Sequence, residues 1–339
     1  MAITINDIAK IANVSASTVS RVIAGNPRIS VKTRERVLKI MKENNYHPNM
    51  IARSLASKFT QIIGMIIPAM AEQAFQHPFF PEMLRGAGSI AYQNKYNILI
   101  ANVNNQEEER QTIRHFARGG ITDGIILLTS RVKDPAISEL QKMDFPFVLI
   151  GRSENDNEIN WVDNNNIAIG YQLTQHFIEQ GHRKIGFIGV SPNFMVTIDR
   201  LNGYKKALQD NGIPVNPGLI EESRFIDDNG YELMRRFLAR GAAPTAIIAC
   251  DDLLAFGAIK VLIEKGLRIP EDMAVAGINN VPQAEYFNPS LTSVEINPFA
   301  LGAKAFELLL TAIRSEYKSF NRAIVPADLV IRRSSCCRR

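Results

Sequence analysis

The sequence predicts a small all-α head followed by an α/β core of two doubly wound, Rossmann-like lobes. Three observations carry this. Basic residues crowd the first fifth of the chain, apolar residues recur there at helical spacing, and from Gln61 onward short apolar strands alternate with amphipathic helices in two successive series. With 339 residues, 46% of them hydrophobic, the chain can build more than one core. The formal net charge is +5, yet residues 1–58 hold ten Lys and Arg against Asp7, Glu35 and Glu43, which leaves the remainder mildly acidic. Such a basic block is the footprint of a polyanion-binding module, a solvated basic face being the alternative.

The head reads as three short helices. Thr4 and Asp7 make a capping-box-like start to the first, along which Ile5, Ile8, Ile11 and Ala12 recur until Asn13-Val14 breaks the pattern. Ser15 caps a second helix, Ala16 to Ile23, which stops at Gly25-Asn26-Pro27. Ser30 caps a third, where Val31, Val37, Leu38 and Met41 are expected to form an apolar stripe under a basic outer face. A turn of three or four residues joins the first two, as in a helix-turn-helix, whose second helix presents its N-terminal residues to base edges in the major groove. Ala16, Ser17 and Arg21 are therefore candidates for base contacts, Arg21 gripping guanine and Ala16 offering only a methyl group. Ser15, Thr18 and Ser20 suit phosphates or capping. Pro48 biases His47 away from helix, and Asn49 can cap a short linker helix from Met50 to Ala56.

In the core, strands are expected at Ile62–Ile67, Asn97–Ala101, Gly124–Leu128 and Phe147–Ile150, with helices starting near Pro78, Gln106 and Pro135. A second series follows, with strands at Lys184–Ile188, Leu219–Ser223, Thr245–Ala249 and Ala274–Ile278. Its helices are Asn165–Gln180, Thr197–Asn211, Asn229–Arg240 and Asp252–Lys265. β-α alternation of this kind gives parallel sheets whose ligands bind beyond the strand carboxyl ends.

The run Thr4-Ile5-Asn6-Asp7-Ile8-Ala9-Lys10 through Val14-Ser15-Ala16-Ser17-Thr18-Val19-Ser20-Arg21-Val22 resembles the helix-turn-helix of the LacI/GalR family. Thr33-Arg34, Tyr46-His47-Pro48-Asn49 and Ala52-Arg53-Ser54-Leu55 continue the match. So do Asp123-Gly124-Ile125-Ile126, Gly181-His182-Arg183-Lys184-Ile185, Pro244-Thr245-Ala246-Ile247 and Pro289-Ser290-Leu291-Thr292-Ser293-Val294, so the resemblance covers residues 4 to about 333. It implies a sugar-responsive transcription repressor that binds an operator as a homodimer through a periplasmic-binding-protein-like core. The expected division is a head at 1–48, a hinge helix and linker at 49–60, a core at 61–333 and a tail at 334–339. Within the core, lobe 1 takes 61–162 plus 292–318 and lobe 2 takes 163–291 plus 319–333.

The resemblance also implies DNA contacts by Thr4, Asn49, Arg53, Leu55 and Ala56. Leu55 would wedge between base pairs from the minor groove, packing on the core being the alternative. For the effector it implies Arg200, which grips ligand hydroxyls in sugar-binding relatives, a surface ion pair being the alternative, and Phe225. Phe79 opens the first core helix at the cleft, Trp161 lies at the lobe junction, and of Asp251 and Asp252 one is expected to face ligand while the other caps a helix. Aromatic faces suit sugar rings, with plain core packing as the alternative for Trp161 and Phe225. Asn279, where several relatives carry Asp, looks like the branch with maltose-operon regulators and keeps a neutral sugar, maltose or another α-glucoside, as the expected effector. Glu307 stands where the related catabolite control protein has an Arg in the helix that serves its phosphocarrier corepressor, so a phosphocarrier partner is disfavoured.

Other classes fit less well. No secretory leader opens the chain, which, with the basic head, argues against a solute-binding protein for transport and for a cytoplasmic location away from membranes. Gly64-Met65-Ile66-Ile67-Pro68 follows no dinucleotide fingerprint, no nucleophile elbow is present, and no catalytic residue or cofactor is expected. Cys250, Cys336 and Cys337 lack metal-ligand spacing, so no metal is expected either.

Overall fold

The computed structural model describes residues 3–23, 26–46, 59–67, 77–128, 130–154, 157–223, 229–241, 244–315 and 317–336. The chain divides into two compact units, Met1–Gln61 and Ile62–Arg339.

In the first unit, α1 (Ile5–Ile11), α2 (Ala16–Ile23) and α3 (Val31–Glu43) enclose one small core. The expected capping box forms: Asp7 N donates to Thr4 Oγ1 at 3.4 Å, and Thr4 N donates to Asp7 Oδ2 at 2.9 Å. Ile8, Ala12, Val19, Val22, Val37 and Met41 are buried together. The stripe expected on α3 is narrower than anticipated, because Val31 and Leu38 are 68% and 47% exposed. Each helical residue turns by about 100°, so Leu38 lies a quarter-turn off the face that Val37 and Met41 press onto α1 and α2, and Val31 lies farther round. Ile11 faces outward for the same reason.

The second unit holds two six-stranded sheets with the same winding. The first runs β11-β5-β4-β3-β1-β2, built from β1 (Ile62–Ile67), β2 (Asn97–Asn102), β3 (Gly124–Leu127), β4 (Phe147–Ile150), β5 (Asn160–Asp163) and β11 (Arg322–Ile324), all parallel. The second runs β12-β10-β9-β8-β6-β7, from β6 (Ile185–Gly189), β7 (Ile220–Glu222), β8 (Ala246–Ala249), β9 (Ala274–Ile278), β10 (Thr292–Glu295) and the antiparallel β12 (Asp328–Val330). Central strands are buried on both faces, which explains their unbroken apolar runs. In each sheet the winding reverses beside the first strand of the series, and in such sheets ligands bind beyond the carboxyl ends at that point.

Helices flank the sheets: α4 (Phe79–Gln93), α5 (Gln106–Arg118), α6 (Pro135–Lys142) and α12 (Pro298–Arg314) in the first lobe. α7 (Asn166–Glu179), α8 (Met195–Asp210), α9 (Gly230–Ala239), α10 (Asp252–Glu264) and α11 (Gln283–Tyr286) serve the second. One close helix crossing recurs in both lobes. A Cβ on Gly86 of α4 would meet Phe299 O at 2.0 Å and one on Gly302 of α12 would meet Met83 O at 1.9 Å. Gly170 of α7 and Gly203 of α8 repeat this against Arg200 O and Ile167 O.

Two expected boundaries change. Residues 292–295 belong to the second sheet and 322–324 to the first, so the chain crosses between lobes after β5, after β10 and after β11, with α12 and β11 returned to the first lobe. Asn164, buried at the first crossing, donates through Nδ2 to Ile296 O at 3.0 Å and Val325 O at 2.9 Å, tying all three strands of the hinge. Nor do residues 334 and 335 trail as a tail. Ser334 Oγ donates to Val275 O at 2.6 Å, and Ser335 Oγ meets Thr292 Oγ1 at 2.7 Å and His176 Nε2 at 2.9 Å, so both are buried in the second lobe.

Candidate nucleic-acid interface and ligand cleft

The head separates structural from outward-facing polar residues. Val19 and Val22 turn α2 inward, which leaves Ser17 and Arg21, four residues apart, on the same exposed face, with Ala16 and Ser20 half-buried beside them. Ser15 Oγ accepts from Thr18 N at 3.2 Å and shares hydrogen bonds with Ser17 Oγ at 2.8 Å and Thr18 Oγ1 at 2.9 Å, so it holds the start of the helix. Thr4 is exposed and engaged with Asp7. Arg28, Lys32, Arg36, Lys39 and Lys42 are exposed, whereas Arg34 turns inward and donates through Nη2 to Asn26 O at 2.8 Å. Asn49, Arg53, Leu55 and Ala56 lie outside the described residues.

In the core, Asp251 follows β8 and caps α10, its Oδ1 accepting from Leu253 N at 2.7 Å. Its Oδ2 accepts from Asn279 Nδ2 at 2.6 Å and meets His77 Nε2 at 2.7 Å. Phe79 N donates to His77 Nδ1 at 3.2 Å, which leaves Nε2 to carry the proton toward Asp251. This contact joins the lobes, since His77 precedes α4 and Asp251 belongs to the second sheet's end. Burial works against a charged Asp251, but the His77 hydrogen bond, the positive charge His77 carries once protonated, the Leu253 N–H bond and the Arg200 charge together outweigh it and hold the carboxyl below its ordinary range. Of the two acids, Asp251 caps α10 and meets His77 of the other lobe, while Asp252 is buried, accepting from Ser293 Oγ at 2.6 Å and Val281 N at 2.8 Å. Burial, with Asp251 beside it, pushes Asp252 up to about 7.

Arg200 is buried on α8, donating from Nε to Asn166 Oδ1 at 2.9 Å and from Nη1 to Cys250 O. Asn166 Nδ2 in turn donates to Asp163 Oδ1 at 2.9 Å at the end of β5. Burial pushes Asp163 up to about 7, against the Asn164 N–H bond and the Arg200 charge that favour its ionised form. Farther along the cleft Arg152 grips Asp199 with Nε and Nη2, and Val132 N donates to Asn193 O at 2.9 Å while Met195 N donates to Ser130 O at 3.1 Å. Phe79 packs against both lobe cores.

Of the sequence candidates, Phe79, Arg200, Asp251 and Asn279 are thus brought to one polar cluster at the strand ends. Trp161 stands apart: its ring belongs to the first lobe's core with Phe116, Phe147 and Leu149, and its Nε1 is buried with no hydrogen-bond partner among the described residues. Phe225 lies outside the described residues. Sequence reasoning missed His77, Asp163, Asn166 and the Arg152–Asp199 pair. His77 and Asp163 each sit inside a segment singled out for its aromatic residues, but neither residue type announces a partner 174 or 37 positions away.

Residues 4–49 match the family model for bacterial regulatory proteins of the lacI family, and residues 174–335 match the periplasmic binding protein-like domain. The chain is 38% identical over 317 residues to the HTH-type transcriptional regulator MalR of Streptococcus pneumoniae, covering 92% of this chain and 93% of that protein. The chain belongs to the LacI family. Catabolite control protein A of Priestia megaterium is 33% identical over 99% of this chain and 100% of its own length. The transcriptional repressor PurR of Haemophilus influenzae is 32% identical over 98% of each chain. Among solved structures, the transcriptional regulator CelR in complex with cellobiose superposes with a TM-score of 0.78 at 30% identity, over 98% of this chain and 100% of that one. The Lac repressor dimer bound to operator shares the fold, with a TM-score of 0.85 at 24% identity over 99% of this chain and 100% of that one. This LacI-family protein is accordingly a DNA-binding transcriptional regulator, and its relatives are regulators rather than enzymes. Among the described residues no helix is long and apolar enough to cross a membrane.

Proposed function

We propose that this regulator is a cytoplasmic, homodimeric repressor of carbohydrate-utilisation genes whose effector is a neutral sugar, maltose or another α-glucoside, held in the cleft between the lobes. One observation carries the choice of a neutral ligand. Among the described residues, the cations named at the cleft face acids: Arg152 faces Asp199, His77 faces Asp251, and Arg200 lies among Asp163, Asp251 and Asp252. A phosphorylated ligand would have to take a cation from a buried acid, whereas hydroxyls can exchange donors and acceptors with Asp251, Asn279 and Arg200. Phe79, spanning both cores, supplies an apolar face. The likeness to MalR and to the cellobiose complex supports a sugar; the likeness to PurR and catabolite control protein A keeps a non-sugar or phosphorylated metabolite as the second reading, a phosphocarrier partner being disfavoured by Glu307.

On DNA, Ala16, Ser17 and Arg21 would read base edges. Thr4, Ser15, Thr18 and Ser20 would hold phosphates, and Asn49, Arg53, Leu55 and Ala56 would reach the minor groove from the hinge. An effector that prefers one lobe arrangement changes operator affinity by its differential affinity for the two.

Calorimetry with maltose, trehalose, sucrose and glucose, on the wild type and on Arg200→Ala, tests the effector. Binding of one sugar, lost in the variant and accompanied by a change in operator affinity, is the expected result. A purine or a sugar phosphate that binds where no neutral sugar does would overturn it.

A further inference from the structure

We propose that His77 is a built-in occupant of the effector cleft: its imidazole sits on the Asp251 oxygen that an incoming hydroxyl needs, so a ligand must expel it. The inference rests on the cleft being the effector site, and it adds a competitor that the chain itself supplies. Asp251 has one oxygen committed to capping α10 through Leu253 N. The other takes two donors, Asn279 Nδ2 at 2.6 Å and His77 Nε2 at 2.7 Å. Asn279 comes from the same lobe, in the turn after β9, where its φ of 110° fixes the backbone. His77 comes from the other lobe and is the donor that a ligand can replace.

The ring is held at both nitrogens and against two aromatic rings. Phe79 N engages Nδ1, and the rings of Phe79 and Phe80 stand edge-on to the imidazole with centroids at 6.4 Å and 6.3 Å. Asp252 beside Asp251 adds negative potential, while Arg200 opposes a positive charge on the ring. Burial also disfavours that charge, yet the Asp251 hydrogen bond and charge more than offset it, so His77 is held above the ordinary histidine range. A flat, hydrogen-bonding ring against an aromatic wall, donating to a half-buried carboxylate, occupies the place of one hydroxyl-bearing ring of a sugar.

The cost of expelling His77 lowers apparent affinity by the fraction of molecules in which the ring has left Asp251. The test uses the full-length protein. In His77→Ala the vacated place should accept free imidazole, seen by calorimetry and by changes in the NMR spectrum, with no such binding to the wild type. Adding Asp251→Asn to that variant should abolish it. Maltose or trehalose should bind His77→Ala about three- to ten-fold more tightly than the wild type, and imidazole should compete with the sugar in the variant only. In the wild type, saturating sugar should return the His77 titration to the ordinary histidine value of about 6.5.

Imidazole that binds both proteins alike, or a sugar that binds His77→Ala more weakly, would overturn the proposal, the second outcome making His77 a direct grip on the ligand. If imidazole fills the variant while no tested sugar binds either protein, His77 stands as the occupant of Asp251 and the sugar reading falls.

Discussion

Arg21 is exposed on the same face of α2 as Ser17, and its planar guanidinium carries five donors in a fixed fork. Arg21→Ala is expected to weaken operator binding by about 1–3 kcal/mol and to relax preference at one base pair, read by titration of single-base operator variants. A uniform loss on all sequences, with a shallower salt dependence, would make it a phosphate contact instead. Asp163 gives a second residue-scale prediction. Its carboxyl is pushed up to about 7 by burial, above the ordinary 3.8. A group whose pKa is raised on folding contributes stability that is fully present below its unfolded value and is lost as pH rises through the folded one, here between about 4 and 7. Asp163→Asn keeps the oxygen that Asn166 and the Asn164 amide use and removes the titration. Melting temperatures recorded from pH 5 to 8 should fall less steeply in the variant than in the wild type; parallel curves would show that Asp163 titrates elsewhere.

At the scale of elements, the α7–α8 crossing positions the cleft. Gly203 and Gly170 let the two helices touch through backbone, and Arg200 sits one turn from Gly203 with its own carbonyl against Gly170. Gly203→Ala would place a methyl group 2.0 Å from Ile167 O, which cannot yield without moving the helix. The expected outcome is a loss of about 1–3 kcal/mol in denaturant unfolding, together with weakened effector binding as Arg200 shifts from Asn166. The equivalent Gly302→Ala in the first lobe should cost similar stability without touching Arg200, so comparing the two separates packing from positioning. Elements such as β1, β3 and β4 were legible in the sequence because central strands of a parallel sheet are apolar on both faces. β11 and β12 were not, since three-residue edge strands carry little pattern and exist only through pairing with β5 and β10.

At the scale of the molecule, two recognition helices double the contact with a palindromic site, and this favours an isologous dimer. The first lobe offers a surface for it: β2 is the edge of its sheet, Leu99 and Ile100 are 36% and 38% exposed there, and Ile100 joins Phe80, Met83 and Leu84 around an apolar depression. On the second lobe, Phe256, Lys260, Ile263, Glu264 and Phe287 line a groove of about 420 Å³. Sedimentation should give a homodimer at micromolar concentration. Ile100→Lys should shift it toward monomer and reduce operator affinity at least ten-fold. A monomeric wild type that still binds its operator tightly would refute the dimer.

The head, the alternation of strands and helices, and the family were all written in local pattern: a capping box at Thr4, a four-residue turn, apolar runs of strand length, and motifs at fixed spacing. These depend on neighbours within a few positions, where helix and strand periodicity act directly. Tertiary structure alone decided which lobe owns 292–295 and 322–324, that Ser334 and Ser335 are buried, and that Asp251 caps a helix while its second oxygen takes donors from both lobes. It alone brought His77 to Asp251 across 174 positions of chain. Those outcomes depend on which sheet edge receives a returning strand and on which polar groups must find partners once water is removed, and local sequence carries no record of such distant partners.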